Sequence, residues 1–165
     1  HEDGTVAASA RLGAALASHD DTTADHVARS KELGIERAEF PTTFEAAEAC
    51  RDKGIQVIMG APNLIRGGSL SGNVSAGDLA KADLLDIVSS DYVPSLLLSS
   101  AFRLAEIWDD LPKAMRTVST TPADATGLSD RGRLRAACLA DILRIRMLDG
   151  VPVLRAVWRG AEQVG

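Results

Sequence analysis

The chain has 165 residues, 45% of them hydrophobic, enough for one core of ordinary domain size and a small appendage. Lys and Arg number 18 against 23 Asp and Glu, and the net charge of -5 argues against a general nucleic-acid or polybasic membrane role while leaving room for a local anion site. Cys50 and Cys138 are too few for a disulfide framework, no run approaches the ~20 apolar residues of a membrane span, and the start His1-Glu2-Asp3-Gly4 has no signal-peptide character; a reducing cytoplasm is expected.

Residues 5–13 are Ala-rich and predict a helix ending near Gly13. A strand is expected at about 14–18, then a helix from Thr22 to Leu33, capped by Asp21 or Thr22 and stopped at Gly34. A second strand follows at about 35–39. Thr42 with Glu45 fits a capping box, so a helix is expected over about 43–53, stopped at Gly54, and a third strand at about 55–60. Ala61 to Val74, rich in Gly, Ser and Asn, reads as a long loop with a role of its own. Ser75 caps a short helix ending near Ala82, and a fourth strand covers about 86–90. Leu97, Ala101, Leu104, Ala105 and Trp108 make a helical stripe, and Pro112 opens a further helix over 112–119. Beyond Pro122 the texture turns to β: Asp141 to Met147, a turn at Asp149-Gly150, Val153 to Trp158, and Ala161 to Val164. The start lacks a methionine, and the expectation is a chain that begins inside a longer one.

The segments ending at His19, Glu39 and Met59 are spaced by 20 residues, the mark of parallel βα repeats. A buried strand that ends on a polar residue can present a ligand or a base at its carboxyl end. His19-Asp20-Asp21 suits a divalent metal or proton transfer; the alternative is that His19 ends the strand and the acids cap the next helix. Asp91 ends the most apolar strand and should face the same rim. Glu39 reads equally as a salt-bridge partner. In Asn63-Leu64-Ile65-Arg66-Gly67-Gly68-Ser69, Arg66 offers a forked donor and the two glycines allow backbone N–H groups close to anionic oxygens; no Gly-Lys-Ser/Thr follows, so this is not a P-loop.

Ser18-His19-Asp20-Asp21-Thr22-Thr23, Glu39-Phe40-Pro41-Thr42-Thr43, Met59-Gly60-Ala61-Pro62-Asn63, Arg66-Gly67-Gly68-Ser69 with Ser71-Gly72-Asn73-Val74, and Ser89-Ser90-Asp91-Tyr92 resemble the PhnM family. These are the α-D-ribose 1-methylphosphonate 5-triphosphate diphosphatases of phosphonate breakdown by the C–P lyase pathway, within the amidohydrolase superfamily. The resemblance implies an α/β fold. Residues 1–127 would be the carboxyl-terminal half of a TIM-type (β/α)8 barrel, and 128–165 the last strands of a small composite β-domain. The half barrel would be roughly strands five to eight, with His19 matching the metal-binding histidine after the sixth strand and Asp91 the aspartate after the eighth.

It further implies a divalent metal ion, zinc or similar, on His19 and Asp91, with Asp91 also catalytic and Asp20 and Glu39 behind them. Asn63, Arg66, Gly67, Gly68, Ser69 and Asn73 would hold a phosphorylated ribose. The implied partners are the amino-terminal half of the barrel and, as one arrangement, a second copy, with no nucleic acid and no membrane. Leu70 stands where the family has a histidine. A dihydroorotase-like cyclic amidase, a deaminase and a non-catalytic remnant are the competing readings.

Overall fold

The computed structural model describes residues 2–69 and 71–165. Helix α1 (Glu2–Leu12) leads into β1 (Ser18–His19), α2 (Ala24–Glu32), β2 (Arg37–Glu39), α3 (Phe44–Asp52) and β3 (Gln56–Gly60). Then come α4 (Ala61–Arg66), α5 (Ala76–Lys81), β4 (Ile87–Ser89), α6 (Leu96–Trp108), α7 (Leu111–Arg116) and α8 (Thr120–Ala125). The four strands form one parallel sheet in the order β1-β2-β3-β4. In register, His19 lies beside Glu39, Glu39 beside Ile58, and Gly60 beside Ser89. All four carboxyl ends therefore meet on one rim, which is where parallel βα units carry their chemistry. The four strands are direct neighbours.

Buried residues come from the sheet and the helices over it: Val57 and Met59 of β3, Val27 of α2, Ala46 and Cys50 of α3, Leu79 of α5 and Leu104 of α6. Each Leu-sized side chain removed from water there stabilises the fold by about 1.5–3 kcal/mol. The stripe foreseen on α6 is the face it buries: Ala101 and Leu104 are fully buried, and Trp108 packs beside them with its indole N–H donating to Ala80 O at 2.7 Å.

Four details differ from the sequence reading. The helix caps fall one residue later than expected: Thr23 accepts from His26 N and Thr43 from Ala46 N. Thr42 is committed elsewhere, its hydroxyl reaching Thr22 Oγ1 at 2.9 Å, and Glu45 caps the neighbouring helix by accepting from Ala24 N at 2.9 Å. A capping box within one helix has become an exchange between two. The expected loop 61–74 also begins with a helix, α4, which has Pro62 in its first turn and left-handed Gly67 (φ 87) as its cap. Six residues are too few to show a period. The helix expected over 112–119 ends at Arg116, and α8 was not foreseen.

Beyond α8, β5 (Ile142–Leu148), β6 (Val151–Arg159) and β7 (Glu162–Gln163) form a separate antiparallel sheet. Asp149 (φ 50) and Gly150 (φ 80) both take left-handed conformations, as a two-residue type I′ hairpin turn requires.

Candidate functional site

His19 is the last residue of β1 and Glu39 the last of β2. Each strand is prolonged by one more backbone bond, Asp20 N to Glu39 O at 3.0 Å and Phe40 N to Ile58 O at 2.9 Å. The donors, Asp20 (φ 60) and Phe40 (φ 57), then turn left-handed, as does Asp91 (φ 51) after β4. The turn lifts the chain off the sheet and aims it at the helix caps Thr23 and Thr43. Aspartate tolerates this conformation; for phenylalanine it is a real strain, of the kind that gathers at functional sites.

His19 Nδ1 lies 3.0 Å from Asp20 Oδ2, with both side chains more than half exposed. A carboxylate on Nδ1 leaves Nε2 as the free donor, the arrangement of a histidine poised to ligate. The His19 ring meets the Phe40 ring edge-on, 5.3 Å between centroids. Phe40 also reaches Gly60: a Cβ at Gly60 would stand 3.1 Å from Phe40 Cε1 and 2.9 Å from Asp91 Oδ2. Only a glycine lets the ring and the carboxylate close over the end of β3.

A cavity of about 260 Å³ opens beside these groups. Asp20, Asn63, Arg66, Gly68, Ser69, Asn73 and Asp91 all line it, together with Phe40 and Tyr92. Three expected site residues do not. Gly67 serves as the cap of α4. Glu39 lines neither this cavity nor the next. His19 borders a second cavity of about 460 Å³, with Asp21, Asp25, His26 and Arg29. Asp20 links the two, bonded to His19 and lining the cavity that holds Asp91.

The anion cradle expected from the two glycines is corrected by the backbone: Gly67 N and Gly68 N both donate to Asn63 O, at 3.1 and 3.0 Å. Asn63 Oδ1 in turn accepts from Ala76 N at 2.9 Å, which ties α4 to the start of α5. Asn63 is thus the anchor of the loop. The Arg66 guanidinium donates to Tyr92 Oη at 2.7 Å, and Ser69 and Asn73 line the same cavity. Leu70 lies outside the described residues. The imidazole of His19 and the carboxylate of Asp91 are donors of the right type for a divalent ion. Among the described residues, however, no group of three or more His, Cys, Asp or Glu is placed to hold one. The sequence reading passed over Tyr92 although it adjoins Asp91; for Phe40 it held no signal, because nothing in the residue type announces a left-handed backbone.

No protein-family model matches the chain. Among solved structures, an amidohydrolase from Thermotoga maritima superposes with a TM-score of 0.71 at 19% identity, over 93% of this chain and 44% of that one. A prolidase complexed with N-methylphosphonate-L-proline gives 0.70 at 18% identity, over 96% and 47%. A zinc-bound adenosine deaminase from Xanthomonas campestris gives 0.59 at 17%, over 94% and 46%. The chain shares the fold class of slightly less than half the length of each of these chains, an α/β parallel sheet with antiparallel strands appended.

Within that class the chain is 51% identical over 153 residues, 91% of its length, to the α-D-ribose 1-methylphosphonate 5-triphosphate diphosphatase of Escherichia coli K12. Over the stretch it spans the chain is similar to that diphosphatase, as its motifs are to the PhnM family. The chain spans 40% of the length of that relative.

Proposed function

We propose that this chain forms one side of the active site of a diphosphatase that hydrolyses α-D-ribose 1-methylphosphonate 5-triphosphate to the 5-phosphate and pyrophosphate. The observation that carries the reading is the cavity that gathers Arg66, Ser69 and Asn73 with the Asp91 carboxylate. The guanidinium grips phosphate oxygens, and the hydroxyl and amide supply further donors. Asp91 takes the proton of the water that attacks phosphorus, and pyrophosphate departs with the electrons of the broken anhydride bond.

The charge balance of the wall supports a divalent cation in the whole site, because Asp20 and Asp91 outnumber Arg66 and would repel a polyanion without one. Such an ion lowers the pKa of bound water and offsets phosphate charge. His19 and Asp91 are the donors this chain offers. A catalytic site of this kind takes about three protein ligands, so the remainder would come from the other part of the barrel. The zinc in the similar deaminase structure agrees with this.

Arg66 favours a phosphorylated substrate over the cyclic amides or amino-purines of other amidohydrolases. Both cysteines are free, which fits a reducing cytoplasm, and among the described residues no helix is long and apolar enough to cross a membrane. The test joins this segment to the rest of the barrel and follows pyrophosphate release. Asp91→Ala should lower turnover by about a hundredfold or more, the usual worth of a general base. Unchanged turnover would remove Asp91 from this role, and cleavage of cyclic amides in place of the triphosphate would replace the reading.

A further inference from the structure

We propose that Tyr92 is the positioning residue of the anion site: its phenol sets the Arg66 guanidinium at a fixed place relative to Asp91. The inference rests on the reading that the cavity takes a phosphate chain, and extends it to a residue outside the expected donor set.

Arg66 is the last residue of α4, a helix of six residues that ends in left-handed Gly67 followed by Gly68. A long side chain at such an end carries about 2 kcal/mol of rotamer entropy, to be lost each time it grips a ligand. One restraint removes part of that cost in advance: an Arg66 Nη donates to Tyr92 Oη at 2.7 Å. Tyr92 follows Asp91 directly, and the Asp91 carboxylate is packed on Gly60, the residue before α4. The loop after β4 and helix α4 are therefore joined twice, by Asp91 on Gly60 at the start of the helix and by Tyr92 on Arg66 at its end. The distance between the proton acceptor and the guanidinium is set by this pair of contacts.

The type of residue matters. A neutral phenol accepts one N–H and leaves four of the five donors of the fork for anionic oxygens. A carboxylate there would neutralise the guanidinium and compete with the substrate. Packing does not explain the ring, since Tyr92 is 65% exposed.

Tyr92 is the only tyrosine of the chain, so ring-labelled protein gives a single tyrosine NMR signal. The probe is inorganic tripolyphosphate with excess magnesium, titrated into the 165-residue chain and into Tyr92→Phe, Arg66→Gln and the double variant. Both positions lie on an exposed rim, so neither change empties the core. Arg66→Gln should weaken binding at least tenfold and Tyr92→Phe three- to tenfold, while Tyr92→Phe should add nothing once Arg66 is gone. The tyrosine signal should move on titration in the wild type and stay still in Arg66→Gln. The Arg66 Nη resonances, held apart by the phenol in the wild type, should average in Tyr92→Phe. Wild-type affinity in Tyr92→Phe, or additive losses in the double variant, overturns the role of Tyr92 and leaves the anion site standing. Absence of binding by the wild type, or binding that Arg66→Gln does not weaken, overturns the anion site and this inference with it.

Discussion

Gly60 is the position on which the acid and the ring depend together. A methyl group there would meet Asp91 Oδ2 at 2.9 Å and Phe40 Cε1 at 3.1 Å, closer than unstrained contact allows. Both neighbours are side-chain ends that can swing away, so Gly60→Ala should fold, with a stability loss of about 1–3 kcal/mol by overpacking. Its mark should be local: the Phe40 ring and Asp91 carboxylate resonances shift while those of α6 do not. An unmoved Asp91 would mean that the close approach is not needed. Cys50 offers a second check. Burial, reinforced by the charges of Asp21 and Asp86, pushes its thiol up to about 12, whereas Cys138 is partly exposed. A thiol reagent near pH 8 should modify one cysteine in the native chain and both in denaturant. Residue type alone singled out Asp91 and Arg66, and the fold brings both to the wall of one cavity. The roles that went unread belong to backbone geometry: the left-handed Phe40, and the two glycine N–H groups that α4 uses for its own cap.

At the scale of elements, the βα repeat was legible because the segments ending at His19, Glu39 and Met59 recur every 20 residues, the first two followed by paired threonines and a helix. The offset of the caps was not, because it depends on contacts between units. Thr43 caps α3 and donates its hydroxyl to Thr22 O at 2.7 Å, so it joins two loops as well as ending one. Thr43→Ala should cost about 1–2 kcal/mol in denaturant unfolding. Thr43→Ser, which keeps the hydroxyl, should recover most of that. A loss confined to a few tenths in Thr43→Ala would show that the bridge contributes little.

The contact between α7 and the turn after α5 gives a pH-dependent case. Lys113 Nζ lies 2.6 Å from Asp83 Oδ1 and 4.2 Å over the Trp108 ring. Its hydrogen bond to Asp83 is the main reason that this carboxyl stays below the usual range. A depressed carboxylate stabilises the fold above its unfolded value, near pH 4, and the gain disappears as pH falls through the folded value. Asp83 is largely exposed, which limits the effect to about 0.5 kcal/mol. Asp83→Asn keeps the shape and tolerates the left-handed φ of 58. It should be slightly less stable than wild type at pH 7 and equal to it near pH 2. An equal deficit at both pH values would rule out the ion pair as its cause.

For the whole molecule, the sheet shows what the 165 residues leave open. Among the described residues no strand lies on the outer side of β1; Leu16, Leu33 and Ile35 border the 460 Å³ cavity there. The other edge carries one backbone bond, Val88 N to Thr117 O at 3.1 Å, because the chain after α7 returns along β4. The second sheet leaves Leu143, Met147 and Leu154 about half exposed. Apolar surface of this kind favours association, and an unpaired strand edge does the same. On the proposed reading the site is as incomplete as the edges: His19 and Asp91 would be two donors where a catalytic metal takes about three, and they border different cavities. A wet, two-donor site holds metal weakly and leaves its water a poor nucleophile. The isolated chain should therefore retain less than one divalent ion per molecule after dialysis. It should release no pyrophosphate from the ribose triphosphate above the rate in buffer, and should sediment partly as oligomers. Adding the remaining part of the barrel in trans should raise both metal content and turnover. Clear turnover by a folded monomer of these residues alone would show that the described half is catalytically sufficient, and would send the search for further ligands back into this chain.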